Sequence, residues 1–247
     1  MINLLTDKLE AESYLMKEQY KNLNAINYLR NYETAQVYVY ENDINHGIAV
    51  YHDYGRNFLA TKNEKFLAEF WEMLPPGHHF FSGIPNEIAE LFLKGRKAEW
   101  RSPCKCYAVI GEFTHEVSSE YVCERLKPED AGEVDEYYTY RHDDSLERIR
   151  NDITNLDSAC VRIDGELAAW CLVHGDDGSL GPLYTKDKFR KRGLAELVST
   201  VLIKKLVAKN VIPYVHIVEE NTPSLGLAAK FAGMEFTHDC LWFGVVK

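Results

Sequence analysis

The chain has 247 residues, 46% of them hydrophobic, and carries 38 acidic against 28 basic side chains for a formal net charge of −10. That length holds one large core or two small ones, and the acidic balance excludes a general nucleic-acid-binding surface, which needs cations spread over a whole face. The first eight residues lack a basic region followed by a long apolar run, and no stretch approaches the roughly 20 apolar residues of a membrane span, so a cytoplasmic protein without a membrane segment is expected.

In chain order, residues 10–32 have apolar side chains at helical spacing, among them Leu15, Tyr20, Leu23, Ile26, Tyr28 and Leu29. Residues 35–41 and 47–54 read as two strands joined by a turn in the Asn-Asp-Ile-Asn-His-Gly stretch between them, which is a hairpin. A helix over 64–74 stops at Pro75-Pro76-Gly77. A strand over 78–84, a helix over 86–95 and a strand over 105–112 follow. The polar stretch 113–121 sets a domain boundary near Ser118, giving domains 1–118 and 119–247.

The second part opens with a strand from Tyr121, then a helix marked by Pro128 and acidic residues, and a second helix over 145–156. Strands at 158–164, 167–174 and 179–185 are separated by turns at Asp164-Gly165 and Gly175-Asp176-Asp177-Gly178. A helix from Leu194 follows, then a strand over 213–220, a helix over 222–233 and a closing strand over 240–246. The two parts share a rough helix and strand order, a hint of duplication. The expected class is α/β with a mixed sheet.

Residues 186–192 break the acidic trend, with five positive charges and one negative in seven positions. Leu194, Leu197, Val198, Val201, Leu202 and Leu206 form one stripe of the helix that follows, so the helix packs on a sheet. The strands before and after it should be parallel, which opens the helix N-terminus at the carboxyl end of a strand. A first helical turn has unpaired N–H groups and a partial positive charge, and Gly193 lets a bulky anion approach the backbone. Arg190, Lys191 and Arg192 add cations, and hydrogen bonds to a charged oxygen contribute about 1.5–3 kcal/mol each. A pyrophosphate is the expected ligand. No metal site is expected: Cys104-Lys105-Cys106 lacks a second pair, and His78-His79 lacks further ligands. The six cysteines are scattered and read as free thiols.

Arg190-Lys191-Arg192-Gly193-Leu194-Ala195, set between a strand and a long amphipathic helix, resembles the R/Q-x-x-G-x-G/A loop of the GNAT superfamily of acyl-CoA-dependent N-acyltransferases. The resemblance covers about residues 121–246 and is closest to the branch of glycine N-acyltransferase-like and FR47-like proteins. It implies a GNAT-like fold in two tandem halves, the N-terminal one degenerate, with acetyl-CoA or another acyl-CoA as co-substrate and no metal. It also implies that Leu183, Tyr184 and Thr185 pair with the pantetheine arm and that Arg190, Lys191, Arg192, Gly193, Leu194 and Ala195 hold the pyrophosphate. Lys186, Lys188 and Lys191 are candidates for the remaining phosphate, and Asn221 and Ser224 for further cofactor contacts.

Direct transfer to an amine needs a base, because a protonated amine has no lone pair. The family's glutamate position falls on Ser179 and its tyrosine position on Ala228, so the substitutes are Asp177, His174 and His216, with His216 first because imidazole titrates near neutrality. Tyr137, Tyr138, Tyr140 and Arg141 are expected to line the acceptor pocket, for a small-molecule amine or an amino acid. The first domain is then a structural or dimer-forming lobe, which leaves a homodimer open. The competing readings are a non-catalytic CoA-binding protein and a basic-patch interaction module.

Overall fold

A computed structural model describes residues 1–52 and 56–247. The chain divides into two compact units, one of residues 1–107, 216–222 and 236–247, the other of residues 108–215 and 223–235. In chain order the elements of the first part are β1 (Ile2–Leu5), α1 (Lys8–Leu15), α2 (Gln19–Asn31), β2 (Gln36–Tyr40), β3 (Asp43–Tyr51), β4 (Arg56–Ala60), α3 (Glu64–Met73), β5 (His78–Pro85), α4 (Asn86–Leu93) and β6 (Ala98–Val109). The second part holds β7 (Cys123–Glu124), α5 (Ala131–Glu136), α6 (Ser145–Asn155), β8 (Ser158–Ile163), β9 (Glu166–Val173), β10 (Leu180–Thr185), α7 (Leu194–Ala208), β11 (Tyr214–Val218), α8 (Thr222–Ala228) and β12 (Met234–Val246). A helix pair, three strands, a helix, a strand, a helix and a strand thus occur twice, as β2 to β6 and β8 to β12 after their helix pairs.

Among the described residues one sheet has the order β1-β2-β3-β4-β5-β12-β6-β11 and the other β10-β9-β8-β7. The first is antiparallel from β1 through β4 and parallel between β4 and β5, where Arg56 pairs with Phe80 and Asn57 with Phe81. Its core fills with Phe66, Phe70, Phe81, Phe92 and Phe243, the last stacked on Phe81 at 4.7 Å between ring centroids. The second sheet is antiparallel throughout. One of its faces packs Ala159, Val161, Ala169 and Cys171 against Leu194, Leu197, Val198 and Leu202 of α7, and the other buries Trp170 with α5 and α6.

Several elements differ from the sequence reading for local reasons. The long first helix is broken by a 3-10 turn at Met16–Glu18, whose neighbouring carbonyls at Leu15 and Glu18 accept from the Asn22 side chain. The hairpin turns at Glu41 and Asn42, both with positive φ, and the stretch read as a turn belongs to β3. The predicted end of that strand at Asp53 and Tyr54 lies outside the described residues. Strand β1 is too short to show alternation, and the first half of β6 hides behind Glu99, Arg101 and Pro103. Helix α8 ends at Ala228, short of the predicted Gly233. Among the described residues no helix is long and apolar enough to cross a membrane, and no group of three or more His, Cys, Asp or Glu is placed to hold a metal ion.

Candidate functional site

Strand β10 stands at the end of its sheet, so one row of its backbone groups has no partner strand. Which groups those are follows from alternation. The Lys186 N–H donates to the Ala168 carbonyl at 3.0 Å, so Tyr184, two residues earlier, also turns its N–H toward β9. Leu183 and Thr185 therefore present theirs at the open edge. The Thr185 carbonyl confirms the direction, since it accepts from Arg190 Nε at 3.2 Å. The register shifts between Leu180 and Leu183, around Gly181 and Pro182, the latter with no N–H to give the ladder.

After Thr185 the chain makes a 3-10 turn over Asp187–Phe189, and Phe189 is anchored in the core beside α7. Lys191 (φ 62°) and Gly193 (φ 75°) are both left-handed. Backbone bent in this way gathers successive N–H groups into a concave, anion-binding array. Helix α7 begins there without a side-chain cap. A β-carbon added to Gly193 would meet nothing within 4 Å, so the glycine leaves open space above the first turn rather than filling a crowded one. The Leu194 side chain is buried, which leaves its backbone as the part that faces the loop. Thr185 Oγ1, at the end of β10, is buried without a hydrogen-bond partner among the described residues.

The five cations of the cluster divide their work. Lys186 is buried and pairs with Glu133 and, at 3.0 Å, with Glu166, while Lys188 takes the second oxygen of Glu166. Both are thus held by carboxylates, where the sequence reading made them candidates for the remaining phosphate. Arg190 pairs with Asp187 at 2.9 Å and lies over the Tyr184 ring. Lys191 and Arg192 are exposed and have no carboxylate partner among the described residues, Arg192 lying instead over Phe189. Glu196, an anion in the first turn of α7, is engaged by His115 at 3.0 Å. The uncapped helix start, Lys191 and Arg192 form a cradle that suits a phosphate group.

Of the proposed catalytic residues, Asp177 and Ser179 are brought together. Asp177 is 1% exposed, and its Oδ1 accepts from the Ser179 N–H at 3.0 Å and from Ser179 Oγ at 2.7 Å. The Tyr214 hydroxyl, fully buried, donates to the Asp177 carbonyl at 2.6 Å. Sequence reasoning missed Tyr214; its signal was a tyrosine in an apolar strand, where the hydroxyl needs a buried partner. His174 closes the same turn through its backbone, its N–H donating to the Ser179 carbonyl at 2.9 Å.

His216 lies in the other compact unit, where its Nδ1 accepts from Trp242 Nε1 at 3.3 Å and its ring packs on Gly83. A neutral imidazole that accepts at Nδ1 carries its proton on Nε2, which makes Nε2 a donor. Asn221, exposed, donates its N–H to the Val218 carbonyl at 2.9 Å, and Ser224 stands in the first turn of α8. On the acceptor side, Tyr137 packs on Tyr184 at 4.9 Å, Tyr138 lies 6.3 Å from the His174 ring, and Arg141 is held through Nε by buried Asp135 at 2.8 Å. Arg148 pairs with Asp176.

Residues 149–243 match the family model of FR47-like proteins. No curated protein matches the chain. Among solved structures, a Drosophila protein superposes with a TM-score of 0.76 at 19% identity, covering 99% of this chain and 98% of its own. A GNAT-family acetyltransferase from Colwellia psychrerythraea gives 0.59 at 12% identity, over 99% of each chain. A tandem GNAT protein from the clavulanic acid biosynthesis pathway gives 0.55 at 10% identity, over 100% of this chain and 98% of its own.

Proposed function

From a chain that carries an FR47-like domain within a tandem GNAT fold, we propose an N-acyltransferase that moves an acyl group, acetyl in the simplest case, from acyl-CoA to a primary amine of a small molecule or amino acid. The observation that carries this reading is the uncapped N-terminus of α7 at left-handed Gly193, directly after an edge strand. Its N–H groups, with Lys191 and Arg192, hold the pyrophosphate, and Ser224, in the same compact unit, adds a contact. The outward carbonyl of Leu183 and the outward N–H of Thr185 pair with the pantetheine amides as a further strand would. Acyl-CoA supplies the activated acyl group as a thioester.

The outward N–H of Leu183 donates to the acyl oxygen as negative charge develops there. Ser179 and Asp177 take the proton of the attacking amine: Ser179 Oγ already donates to Asp177, so as the C–N bond forms the amine's proton passes to Oγ and the Ser179 proton to the carboxylate, while the C–S bond breaks and CoA leaves as a thiolate that is protonated from solvent. Tyr137, Tyr138, Tyr140 and Arg141 shape the acceptor's entry.

The test is thiol release from acetyl-CoA in the presence of a panel of amines, with product masses measured. Amine-dependent release that falls at least tenfold in Ser179→Ala is the expected result. Saturable binding of acetyl-CoA without release for any amine favours instead a CoA-binding protein without transfer, a reading that the burial of Asp177 supports.

A further inference from the structure

Lys186 is the one basic residue of the 186–192 cluster that is buried, 8% exposed, and its setting is built on three elements. Its ammonium meets Glu133 of α5 and Glu166 at the start of β9. Its backbone N–H joins the β9 ladder through Ala168, and its carbonyl accepts from Phe189 at 2.8 Å, closing the turn that leads into the phosphate loop. The ammonium also lies 5.9 Å from the centre of the Tyr137 ring, the first residue after α5. Tyr137 packs on Tyr184, and Tyr184 carries the Arg190 guanidinium at 5.8 Å. A continuous series of contacts, Glu133, Lys186, Tyr137, Tyr184 and Arg190, thus connects α5 with the loop.

Resting on the acyl-CoA reading above, we infer that Lys186 is a positioning residue that acts through charge: it neutralises Glu133 and Glu166 at the root of the phosphate loop, without touching phosphate itself. Left unpaired, two carboxylates at the root of an anion-binding loop oppose anion binding. Lys188 serves only one of them. Exposed Lys191 and Arg192 remain the cations that meet the ligand. A buried ammonium with two carboxylate partners is held in place and has little to offer a third anion.

The test is acetyl-CoA affinity by calorimetry on the full chain, for the parent, Lys186→Met, Lys186→Arg and the triple variant Lys186→Met with Glu133→Gln and Glu166→Gln. Lys186→Met is expected to weaken binding about tenfold, in the range of one interaction with an uncompensated carboxylate. The triple variant, which keeps no charge at the node, is expected to return to within about threefold of the parent, and Lys186→Arg to bind as the parent does. Unfolding midpoints on each variant separate lost folding from lost affinity; if Lys186→Met does not fold, the triple variant alone decides, since it lacks the unpaired carboxylates. A triple variant that stays as weak as Lys186→Met, or weaker, means that Lys186 contacts phosphate and overturns the inference, as does parent-like binding by a folded Lys186→Met. A parent that binds no acetyl-CoA refutes the acyl-CoA reading instead.

Discussion

Gly193 concentrates the local argument. Its φ of 75° suits glycine, and a side chain there costs about 1–2 kcal/mol of backbone strain, yet the space above it is open, so a substitution would not collide with the protein. Gly193→Val is therefore expected to lower the unfolding midpoint by a few degrees while weakening acetyl-CoA at least tenfold, because the branched side chain occupies the approach to the helix start. Calorimetry on the folded variant checks this; parent-like affinity would remove the phosphate loop from the account. Asp152 offers a second residue-scale prediction. Burial pushes its carboxyl up to about 6 from the usual 3.8, and Asp177 adds to the rise, while the Gly175 N–H and Arg148 oppose it. Because the folded value is the higher one, the stability linked to this group is fully present below about 3.8 and is lost as pH rises through about 6. The displacement corresponds to roughly 3 kcal/mol at neutral pH. Asp152→Asn keeps an acceptor for Gly175, so it should raise the unfolding midpoint at pH 8 and leave it nearly unchanged at pH 4. An equal rise at both would contradict the titration. Gly193 was legible in the sequence because its meaning is local. The ion pairs of Lys186 were not legible, because the two glutamates come from α5 and from the start of β9, a pairing no spacing rule reveals.

The contrast between two helices shows what distinguishes a binding site from a structural joint. Helix α3 follows β4 as α7 follows β10, but Asn63 caps α3, accepting from the Lys65 and Phe66 N–H groups. Its strands β4 and β5 are paired in parallel, whereas β10 and β11 belong to different sheets. The first copy of the arrangement thus spends on its own side chain the donors that the second leaves open. Asn63→Ala is expected to cost about 1 kcal/mol of stability, read by denaturant unfolding, and to leave acetyl-CoA affinity unchanged. A loss of affinity would mean that the first copy also binds. Periodicity made α7 legible because one stripe of it is buried, and apolar runs made β8 and β9 legible because both faces of their sheet are covered. Strand β1 is too short to carry a pattern and β4 shows no alternation, with three consecutive buried residues, and the Glu41-Asn42 turn uses residues whose left-handed conformation composition did not single out.

At the scale of the whole molecule, the element order occurs twice, and among the described residues the second copy has an open helix start behind a glycine where the first has a capped one. The resemblance carried by six residues, Arg190 to Ala195, pointed to the fold of the entire chain because the order of strands and helices around them agreed with it. The proposed catalytic residues were less legible, since Ser179 and Ala228 stand where the resemblance led one to expect a glutamate and a tyrosine, and the bonds of Asp177 to Ser179 and Tyr214 are seen in three dimensions. The central claim is one acyl-CoA site per chain, at the start of α7. Calorimetric titration of the purified protein with acetyl-CoA, with dephospho-CoA and ATP as controls at two salt concentrations, tests it most directly. Saturable binding of one equivalent, with preference for acetyl-CoA at both salt concentrations, is the predicted result. No binding, or equally weak and salt-sensitive binding of every polyanion, would contradict it.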